Sequence, residues 1–293
     1  MRPSTPRILI VHNPCAGSPD RSLYDAVLAR LREHGCHITI AETAGRGDAT
    51  QLVGDPTEFD RIVAVGGDGT FNEVVNGVAS VADAPPLAII PEGTSNVLAA
   101  EIGLRYDPVR ISEAILYGQP TPITLGRVNG HYFAAMMGAG LDAYVIAQVD
   151  HALKRRYGAK AYAASFFRQL REFSFPEYAV SVDGNTHVAG SVIVANASRY
   201  ARSWKVAPGA DIRSDRFDVC SIARRGRWGR FVQAAALFGG RIAHGRGLDI
   251  TLGSRISISG PAGDPVQADG DVVTTLPAEV VVQPGAVRLL FPR

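Results

Sequence analysis

Positions 66–70 combine three glycines with an aspartate and a threonine, in the order Gly-Gly-Asp-Gly-Thr. Residues 61–65 before them are largely apolar and β-branched, which predicts a buried parallel strand. After the turn, Thr70 and Glu73 have the spacing of a capping box, which predicts a helix with Thr70 as its N-cap. A glycine-rich turn between a strand and a helix N-terminus presents backbone N–H groups to an anion. The chemistry that this stretch predicts is phosphate binding.

Asp68 is unusual in such a turn, because its carboxylate repels a phosphate unless something separates the two charges. Either Mg²⁺ bridges Asp68 to the phosphates, or Asp68 takes part in activating an attacking hydroxyl. The stretch is not a P-loop, and it is not a standard dinucleotide fingerprint because Asn72 stands where the last glycine would fall. A tight turn that binds no ligand is the remaining alternative.

Two other turns follow apolar strands and contain residues that could bind a nucleotide. Asn13 follows the strand 8–11, and its amide could reach a phosphate or ribose or form only an Asx-turn. After the strand 87–90, Gly93 and Thr94 form a second candidate phosphate-binding turn, and Asn96 could bond to the ligand or cap the next helix. These turns and residues 66–70 indicate the same kind of site.

A fourth loop, residues 43–48, lies between a strand and a helix that begins near Asp48. Thr43 and Arg46 could reach a nucleotide from this loop, or the loop could simply be solvated. The sequence alone does not choose between these two interpretations.

Strands and helices alternate four times in the first part of the chain, which predicts a doubly wound parallel sheet. Ligands of such sheets collect at the carboxyl ends of the strands, where the three loops that begin at Asn13, Gly66 and Pro91 lie. Beyond residue 122 strands dominate, which predicts a second, β-rich and mainly antiparallel domain. The predicted domains are residues 1–122 and 123–285, and the final strand 286–293 is compatible with a return to the first domain.

The composition is that of an ordinary globular protein, with 46% hydrophobic and 20% charged residues among 293. A net charge of +2 does not by itself indicate nucleic-acid binding. The three cysteines show no paired spacing and suit a reducing cytosol. Residues 7–12 already form a strand pattern, so we expect no signal peptide. The longest apolar run, residues 132–147, is interrupted by glycines and Asp142 and is too short to span a bilayer.

Residues 66–70 resemble the nucleotide-binding signature of the diacylglycerol kinase and sphingosine kinase superfamily, which NAD kinases and phosphofructokinases share more distantly. Further motifs fall in the order seen in bacterial diacylglycerol-kinase-like lipid kinases: Asn-Pro-x-x-Gly at 13–17, Pro-Glu-Gly-Thr-Ser-Asn at 91–96, Gly-x-Gly-Leu-Asp-Ala at 138–143, Gly-Ala-Lys-Ala-Tyr at 158–162, Pro-Gly-Ala at 208–210, Phe-Asp at 217–218 and Asp-Gly-Asp at 269–271. The resemblance covers nearly the whole chain. It implies two domains, with ATP and an acceptor lipid meeting in a cleft between them.

The resemblance also implies the roles of individual residues. The nucleotide and Mg²⁺ site would comprise Asn13, Thr43, Gly66, Gly67, Asp68, Gly69, Thr70, Glu73, Gly93, Thr94 and Asn96. Asp269 would be the general base that takes the proton from the lipid hydroxyl, with Asp68 as the other candidate. Asp271 departs from the family pattern Asp-Gly-Glu by one methylene, so a metal contact there must be re-spaced. Asp-Gly is also a common hairpin dipeptide, and without the resemblance a simple turn at residues 269–270 is favoured.

Two further sites are less specific. Asp215 and Asp218 match a stretch that in some relatives holds a structural Mg²⁺, but Arg216 stands where the family usually has glycine. A surface turn is the alternative there. Asp142 could bind the acceptor head group, or it could be the N-cap of a helix that begins at Ala143.

Residues 224–230 contain four arginines and a tryptophan before an apolar, helix-like run at 231–238. This composition suits transient contact with an anionic membrane, at roughly 1 kcal/mol per basic residue near the surface. A solvated charged turn is the alternative. Nucleic-acid binding is not favoured, because no basic stripe with interleaved aromatic residues extends beyond this point.

The sequence therefore predicts an ATP-dependent lipid kinase that uses Mg²⁺, is cytoplasmic and is peripheral to the membrane. The acceptor is predicted to be diacylglycerol or a related lipid with a free hydroxyl. The alternatives are an NAD kinase or other small-molecule kinase, and a nucleotide-binding regulator without turnover. The sequence leaves open whether the chain forms a homodimer.

Overall fold

The computed structural model describes residues 5–16, 21–149, 159–201, 204–223 and 248–293. The chain divides into two compact units. Unit 1 comprises Met1–Ile123 together with Gly285–Arg293, and unit 2 comprises Thr124–Pro284. Unit 1 is therefore discontinuous in sequence.

Unit 1 alternates strands and helices around a parallel sheet. Its elements are β1 (Arg7–His12), α1 (Ser22–Glu33), β2 (His37–Glu42), α2 (Asp48–Leu52), a 3-10 turn (Pro56–Glu58), β3 (Arg61–Gly66), α3 (Asp68–Val78), β4 (Leu87–Pro91), α4 (Val97–Glu101), α5 (Pro108–Tyr117) and the first part of β5 (Gln119–Val128). The strand order is β2-β1-β3-β4, followed by the end of the last strand, β18 (Ala278–Phe291), and each neighbouring pair is parallel.

The helices form because their apolar residues recur at helical spacing and cover the sheet. In α3 the buried residues include Phe71, Val74, Val75 and Val78, and α1 buries a similar stripe. Strands β1 and β3 are buried from their second residue onward, as expected for central parallel strands covered on both faces.

The strand order reverses direction at β1. The chain passes from β1 to β2 on one side and then returns to place β3 on the other side. In open α/β sheets the crevice at such a switch point, outside the carboxyl ends of the strands, is where ligands bind. The loops after β1 and β3 lie at this point, and they contain Asn13 and residues 66–70.

Unit 2 is built from antiparallel strands. Its elements are the rest of β5, β6 (His131–Phe133), β7 (Met136–Ala139), α6 (Leu141–Ala147), α7 (Ala159–Glu172), β8 (Tyr178–Val182), β9 (Asn185–Ala189), β10 (Ser191–Ala195), β11 (Arg199–Ala201), β12 (Trp204–Lys205), β13 (Phe217–Ile222), β14 (Leu248–Gly253), β15 (Arg255–Ser259), β16 (Pro265–Ala268), β17 (Asp271–Thr275) and the first part of β18. One sheet has the order β14-β13-β10-β7-β16-β17, and strands β18, β15, β8 and β9 pair with one another in that order. Tyr178, Phe133 and Phe217 are fully buried in its core.

The predicted fold class, a parallel α/β domain followed by a mainly antiparallel β domain, is confirmed. One helix prediction is wrong in its bounds. The sequence predicts a helix over 145–173 with a break at Gly158, whereas α6 already ends at Ala147. There, Gln148 bonds to the side chains of Arg168 and Gln169 in α7. Gly158 lies outside the described residues.

Candidate functional site

Three loops gather at the carboxyl edge of the parallel sheet in unit 1, and we call them the phosphate loops: residues 12–16, 66–70 and 91–96. The backbone N–H of Asn13 donates to the Val65 carbonyl at 2.9 Å, and that of Glu92 donates to the Gly66 carbonyl at 2.9 Å. The Thr43 N–H donates to the His12 carbonyl at 2.8 Å, which brings the fourth loop to the same edge. The structure therefore brings together the loops that the sequence singled out.

Two of the loops touch each other through glycine backbone. A Cβ atom built on Gly93 would lie 2.4 Å from the Gly67 Cα, and one built on Gly67 would lie 3.2 Å from the Gly93 Cα. A Cβ on Gly66 would lie 2.5 Å from the Thr70 Oγ1. These glycines are needed because the chain must pass closer to itself than any side chain allows.

Asn13 forms the Asx-turn that was one of the two interpretations of the sequence, and its contact with a nucleotide stays a prediction. Its Oδ1 accepts from the Cys15 N–H at 3.0 Å, which is an Asx-turn. Its Nδ2 donates to the Thr70 Oγ1 at 3.2 Å, and this bond connects the loop after β1 to the first turn of α3. Thr70 is buried, so its hydroxyl orders the loops from inside.

The capping box predicted for Thr70 and Glu73 is wrong. Helix α3 begins at Asp68, and its N-cap, Gly67, makes no side-chain capping bond. The Glu73 carboxylate instead accepts from the N–H groups of Gly47 at 2.8 Å and Ala49 at 3.1 Å. It therefore satisfies orphan donors at the start of α2 rather than those of its own helix.

The Asp68 carboxylate also caps another helix. Its Oδ1 accepts from the Val97 N–H at 2.6 Å, at the first residue of α4. Negative charge at a helix N-terminus is favourable because of the helix dipole. Asp68 therefore fixes the third phosphate loop against the second.

Asn96 shapes its own turn instead of capping α4 with its side chain. It is buried with φ at +46°. Its Oδ1 accepts from the Gly93 N–H at 2.9 Å, and its Nδ2 donates to the Gly93 carbonyl at 2.6 Å and to the Tyr106 hydroxyl at 2.9 Å. Thr94, between these residues, is exposed, and Gly69 lies in the first turn of α3.

Sequence reasoning missed a buried histidine at the same edge. The His12 ring stacks on Tyr24 at 4.5 Å between centroids, with Nδ1 3.2 Å from a Glu42 carboxylate oxygen and Nε2 3.8 Å from one of Glu92. Burial raises the pKa of Glu92, and the charges of His12 and Arg21 partly oppose this. The sequence contained a signal for this contact: His12 directly precedes Asn13, Glu92 directly precedes Gly93, and the loops of Asn13 and Gly93 were predicted to meet.

In unit 2, Asp269 lies in a two-residue hairpin turn between β16 and β17. Ala268 pairs with Asp271 across the turn, and φ is +48° at Asp269 and +88° at Gly270. These are the signs that a type I′ turn requires, so the Asp-Gly pair forms a hairpin turn as its composition alone favoured. Asp271 is the first residue of β17 and is partly exposed.

The Asp269 carboxylate holds a stretch of backbone in place. It accepts from the N–H groups of Ala134 at 2.7 Å, Ala135 at 2.9 Å and Met136 at 2.9 Å, between β6 and β7. Asn196 holds the same stretch as a donor, since its Nδ2 donates to the Ala134 carbonyl at 2.6 Å. The general-base role of Asp269 stays a prediction, and its carboxylate now also has a structural role.

Asp142 is buried and is not an N-cap, because Gly140 precedes the first residue of α6 in that position. It accepts hydrogen bonds from the Tyr200 hydroxyl and, at 2.6 Å, from the Gln267 Nε2. Burial raises the pKa of Asp142, and these two hydrogen bonds act in the opposite direction. Neither Tyr200 nor Gln267 was a candidate from the sequence.

The predicted structural metal site is divided between two environments. Asp215 is exposed, whereas Asp218 is buried in β13, where desolvation raises its pKa. Within the described ranges, no three or more His, Cys, Asp or Glu side chains gather in a way that could hold a metal ion. Mg²⁺ binding at Asp215 and Asp218 stays a prediction.

Comparison with known structures finds the same class of fold, a parallel α/β unit followed by an antiparallel β unit. The crystal structure described as a diacylglycerol kinase from Bacillus anthracis str. Sterne matches with a TM-score of 0.80 and 21% identity, over 99% of this chain and 98% of that one. This likeness shows the fold.

The chain belongs to the diacylglycerol kinase-like family. The diacylglycerol kinase catalytic domain matches residues 7–128, and the YegS C-terminal NAD kinase beta sandwich-like domain matches residues 135–291. The diacylglycerol kinase of Bacillus subtilis (strain 168) is 28% identical over 98% of this chain and 97% of its own length. That of Staphylococcus aureus (strain MRSA252) is 31% identical over 61% of this chain and 58% of its own length. The family predicted from the motifs is therefore confirmed.

Proposed function

We propose that this protein is an ATP-dependent lipid kinase that transfers the γ-phosphate to a hydroxyl of diacylglycerol or a related lipid. The observation that carries the proposal is the convergence of the three phosphate loops at the switch point of the parallel sheet. Membership of a kinase family, and relatives named diacylglycerol kinase, support it.

The phosphate loops supply what phosphoryl transfer needs most, which is positioning and neutralisation of charge. Backbone N–H groups at the start of α3 face the loop edge, and the contact between Gly67 and Gly93 keeps side chains out of it. The donor set also fits Mg²⁺. This ion is usually held by one or two carboxylates together with substrate phosphates rather than by an all-protein cage. Asp68 would hold it, and the bound ion would neutralise charge on the phosphates.

Asp269 is proposed as the general base that accepts the proton of the lipid hydroxyl. Base catalysis by a positioned side chain is typically worth about 10²–10⁴-fold in rate. The three backbone N–H bonds fix the direction of this carboxylate, which is the condition that a positioned base must meet.

Transfer of label from radioactive ATP tests the proposal, with a panel of diacylglycerol, a long-chain amino alcohol, NAD and a sugar phosphate. We expect label in the diacylglycerol fraction. Label in NAD alone would favour an NAD kinase, an alternative that the description of the second domain keeps in view. ATP binding without any transfer would favour a nucleotide-binding regulator.

Asp269→Asn tests the base in the same assay, with Asn196→Ala as the matched control. Both variants loosen residues 134–136, but only the first removes the carboxylate. We expect turnover to fall by about 10²-fold or more in Asp269→Asn and far less in the control. Near wild-type turnover in Asp269→Asn would show that Asp269 is not the base and leave Asp68 as the candidate.

We also propose that the basic segment 224–230, which lies outside the described residues, brings the enzyme to anionic membranes transiently. No helix in the described ranges is long and apolar enough to cross a membrane. Flotation with vesicles that contain anionic lipid is expected to carry the protein upward. Equal flotation with neutral vesicles would contradict the proposal.

A further inference from the structure

A chain of hydrogen bonds with a buried carboxylate in it connects α6 to the Asp269 turn. The Tyr200 hydroxyl donates to Asp142, and the Gln267 Nε2 donates to the other Asp142 oxygen at 2.6 Å. The Gln267 Oε1 in turn accepts from the Gly270 N–H at 3.0 Å. Asp142 is 7% exposed and Gln267 is 1% exposed, so water does not compete for the bond between them.

The directions of the two bonds made by the Gln267 amide follow from the backbone N–H of Gly270. A backbone N–H can only donate, so the amide oxygen of Gln267 must face Gly270. The amide nitrogen must then face Asp142, and an Asp142 oxygen must accept from it. The Gln267 amide is therefore bonded at both ends, and it connects the buried Asp142 carboxylate to the Gly270 N–H.

Strand β7 closes this arrangement from behind. A Cβ built on Gly138 would lie 2.3 Å from the Asp142 Oδ2 and 3.1 Å from the Gln267 Nε2. There is no room for either side chain to turn toward β7. The pair is held in one arrangement, as buried and fully bonded polar groups usually are.

We propose that Asp142 and Gln267 are positioning residues that fix the Asp269–Gly270 turn and thereby the direction of the Asp269 carboxylate. Asp142 then acts through Gln267, and it does not contact the acceptor lipid as the sequence suggested. The turn needs such support, because Asp269 adopts a positive φ that is unfavourable for a non-glycine residue. The catalytic consequence rests on the proposed function, whereas the structural coupling does not.

Amide hydrogen exchange tests the coupling without any assay of activity. Gln267→Met conserves side-chain volume but removes both amide bonds. Tyr178→Phe is the matched control, because it removes a buried bond to Asp264 at 2.6 Å elsewhere in unit 2. We expect exchange at Gly270 to be about tenfold faster in Gln267→Met and unchanged in Tyr178→Phe. Unchanged exchange in Gln267→Met would overturn the inference.

Asp142→Asn provides a second variant if Gln267→Met does not fold. An asparagine oxygen can still accept from Gln267, and its amide nitrogen can donate to the Tyr200 oxygen. Protection at Gly270 should therefore persist in Asp142→Asn and be lost in Asp142→Leu. If Gly270 stays protected in Asp142→Leu as well as in Asp142→Asn, the coupling is overturned.

Steady-state kinetics with a lipid acceptor that the wild-type protein phosphorylates separate positioning from substrate binding. We expect Gln267→Met and Asp142→Leu to lower kcat by about 10²-fold with little change in KM, while Asp142→Asn retains most of the wild-type kcat. A raised lipid KM with unchanged kcat in Asp142→Asn would place Asp142 on the substrate and overturn the inference. If the wild-type protein phosphorylates no lipid, the proposed function fails, and the exchange measurement still decides the coupling.

Discussion

Glu92 allows a test of charge at the phosphate loops, because burial raises the pKa of its carboxyl group. A raised pKa means that folding disfavours the ionised form, so Glu92 lowers stability at pH values above its folded-state pKa. That penalty is absent below the unfolded pKa of about 4.3. We expect Glu92→Gln to be more stable than wild type near pH 8, with a difference that shrinks as the pH falls toward 4.

Urea unfolding at pH 5 and pH 8 measures this difference. Glu113→Gln, at an exposed position on α5, is the control. A stability difference between Glu92→Gln and wild type that grows as the pH falls would contradict the sign.

Asp269→Asn is expected to destabilise unit 2 as well as to slow turnover. Asparagine offers one acceptor oxygen where the carboxylate offers two, so its amide nitrogen must face the N–H of Ala134 or of Ala135 and Met136. Leaving a buried donor unsatisfied costs about 1–3 kcal/mol. The midpoint of denaturant unfolding measures the loss, and an unchanged midpoint would show that the backbone bonds contribute nothing.

At this scale the sequence predicted residue types better than bonding partners. The glycines, Asp68 and Asn13 were predicted to meet at one edge, and they do. The partners of Asp269 could not be predicted, because Met136 precedes it by 133 positions and no local pattern connects them. A buried carboxylate takes whichever donors the tertiary fold brings to it.

Among the elements, α2 is short and depends on a residue outside it. Its first N–H groups are satisfied by Glu73 of α3. We expect Glu73→Ala to cost about 1–2 kcal/mol, the usual cost of losing a helix cap. Thermal unfolding measures this cost, with Glu33→Ala at the exposed end of α1 as the control. An ATP affinity that falls while the stability does not would instead place Glu73 on the nucleotide.

The second and third phosphate loops are expected to separate in Gly93→Ala. The new Cβ would meet the Gly67 backbone at 2.4 Å and the Asn96 Oδ1 at 2.7 Å. Overpacking of this kind typically costs about 1–3 kcal/mol, and ATP binding should be lost with it. Gly209→Ala in unit 2 is the control, since its Cβ would meet nothing closer than 3.4 Å. Calorimetric titration with ATP should show wild-type affinity only in the control.

The alternation of strands and helices was enough to predict which loops meet, because the carboxyl ends of parallel strands share one edge. The capping of α2, α3 and α4 was not predictable from spacing. Thr70 and Glu73 have the spacing of a capping box, yet both side chains bond elsewhere. Local patterns state which bonds are available, and tertiary contacts decide which of them form.

At the scale of the whole molecule, nucleotide binding should stabilise the protein and slow amide hydrogen exchange at three separate segments of unit 1. We expect a non-hydrolysable ATP analogue at 100 times its Kd to stabilise the protein by about 2.7 kcal/mol. Hydrogen exchange should slow at residues 12–16, 66–70 and 91–96. Protection confined to unit 2 would contradict the assignment of the phosphate loops.

The two-domain organisation could be predicted because the period of the apolar pattern changes from alternating strands and helices to strands alone. The sequence could not assign β14, β16 and β17, since these short strands lack a continuous apolar run. They form because neighbouring antiparallel strands pair with them.

The discontinuity of unit 1 has a consequence for how the protein is made. Leu289 pairs with Leu87 of β4, so one side of β4 in the parallel sheet stays unpaired until residues 285–293 have been synthesised. At synthesis rates of about 5–20 residues per second, a ribosome needs roughly 10–30 s to pass from Ile123 to Gly285. Throughout that interval the nascent chain exposes an unpaired apolar strand, which is a template for wrong pairing. The pace of translation through the second half of the message therefore sets how long β4 must be shielded.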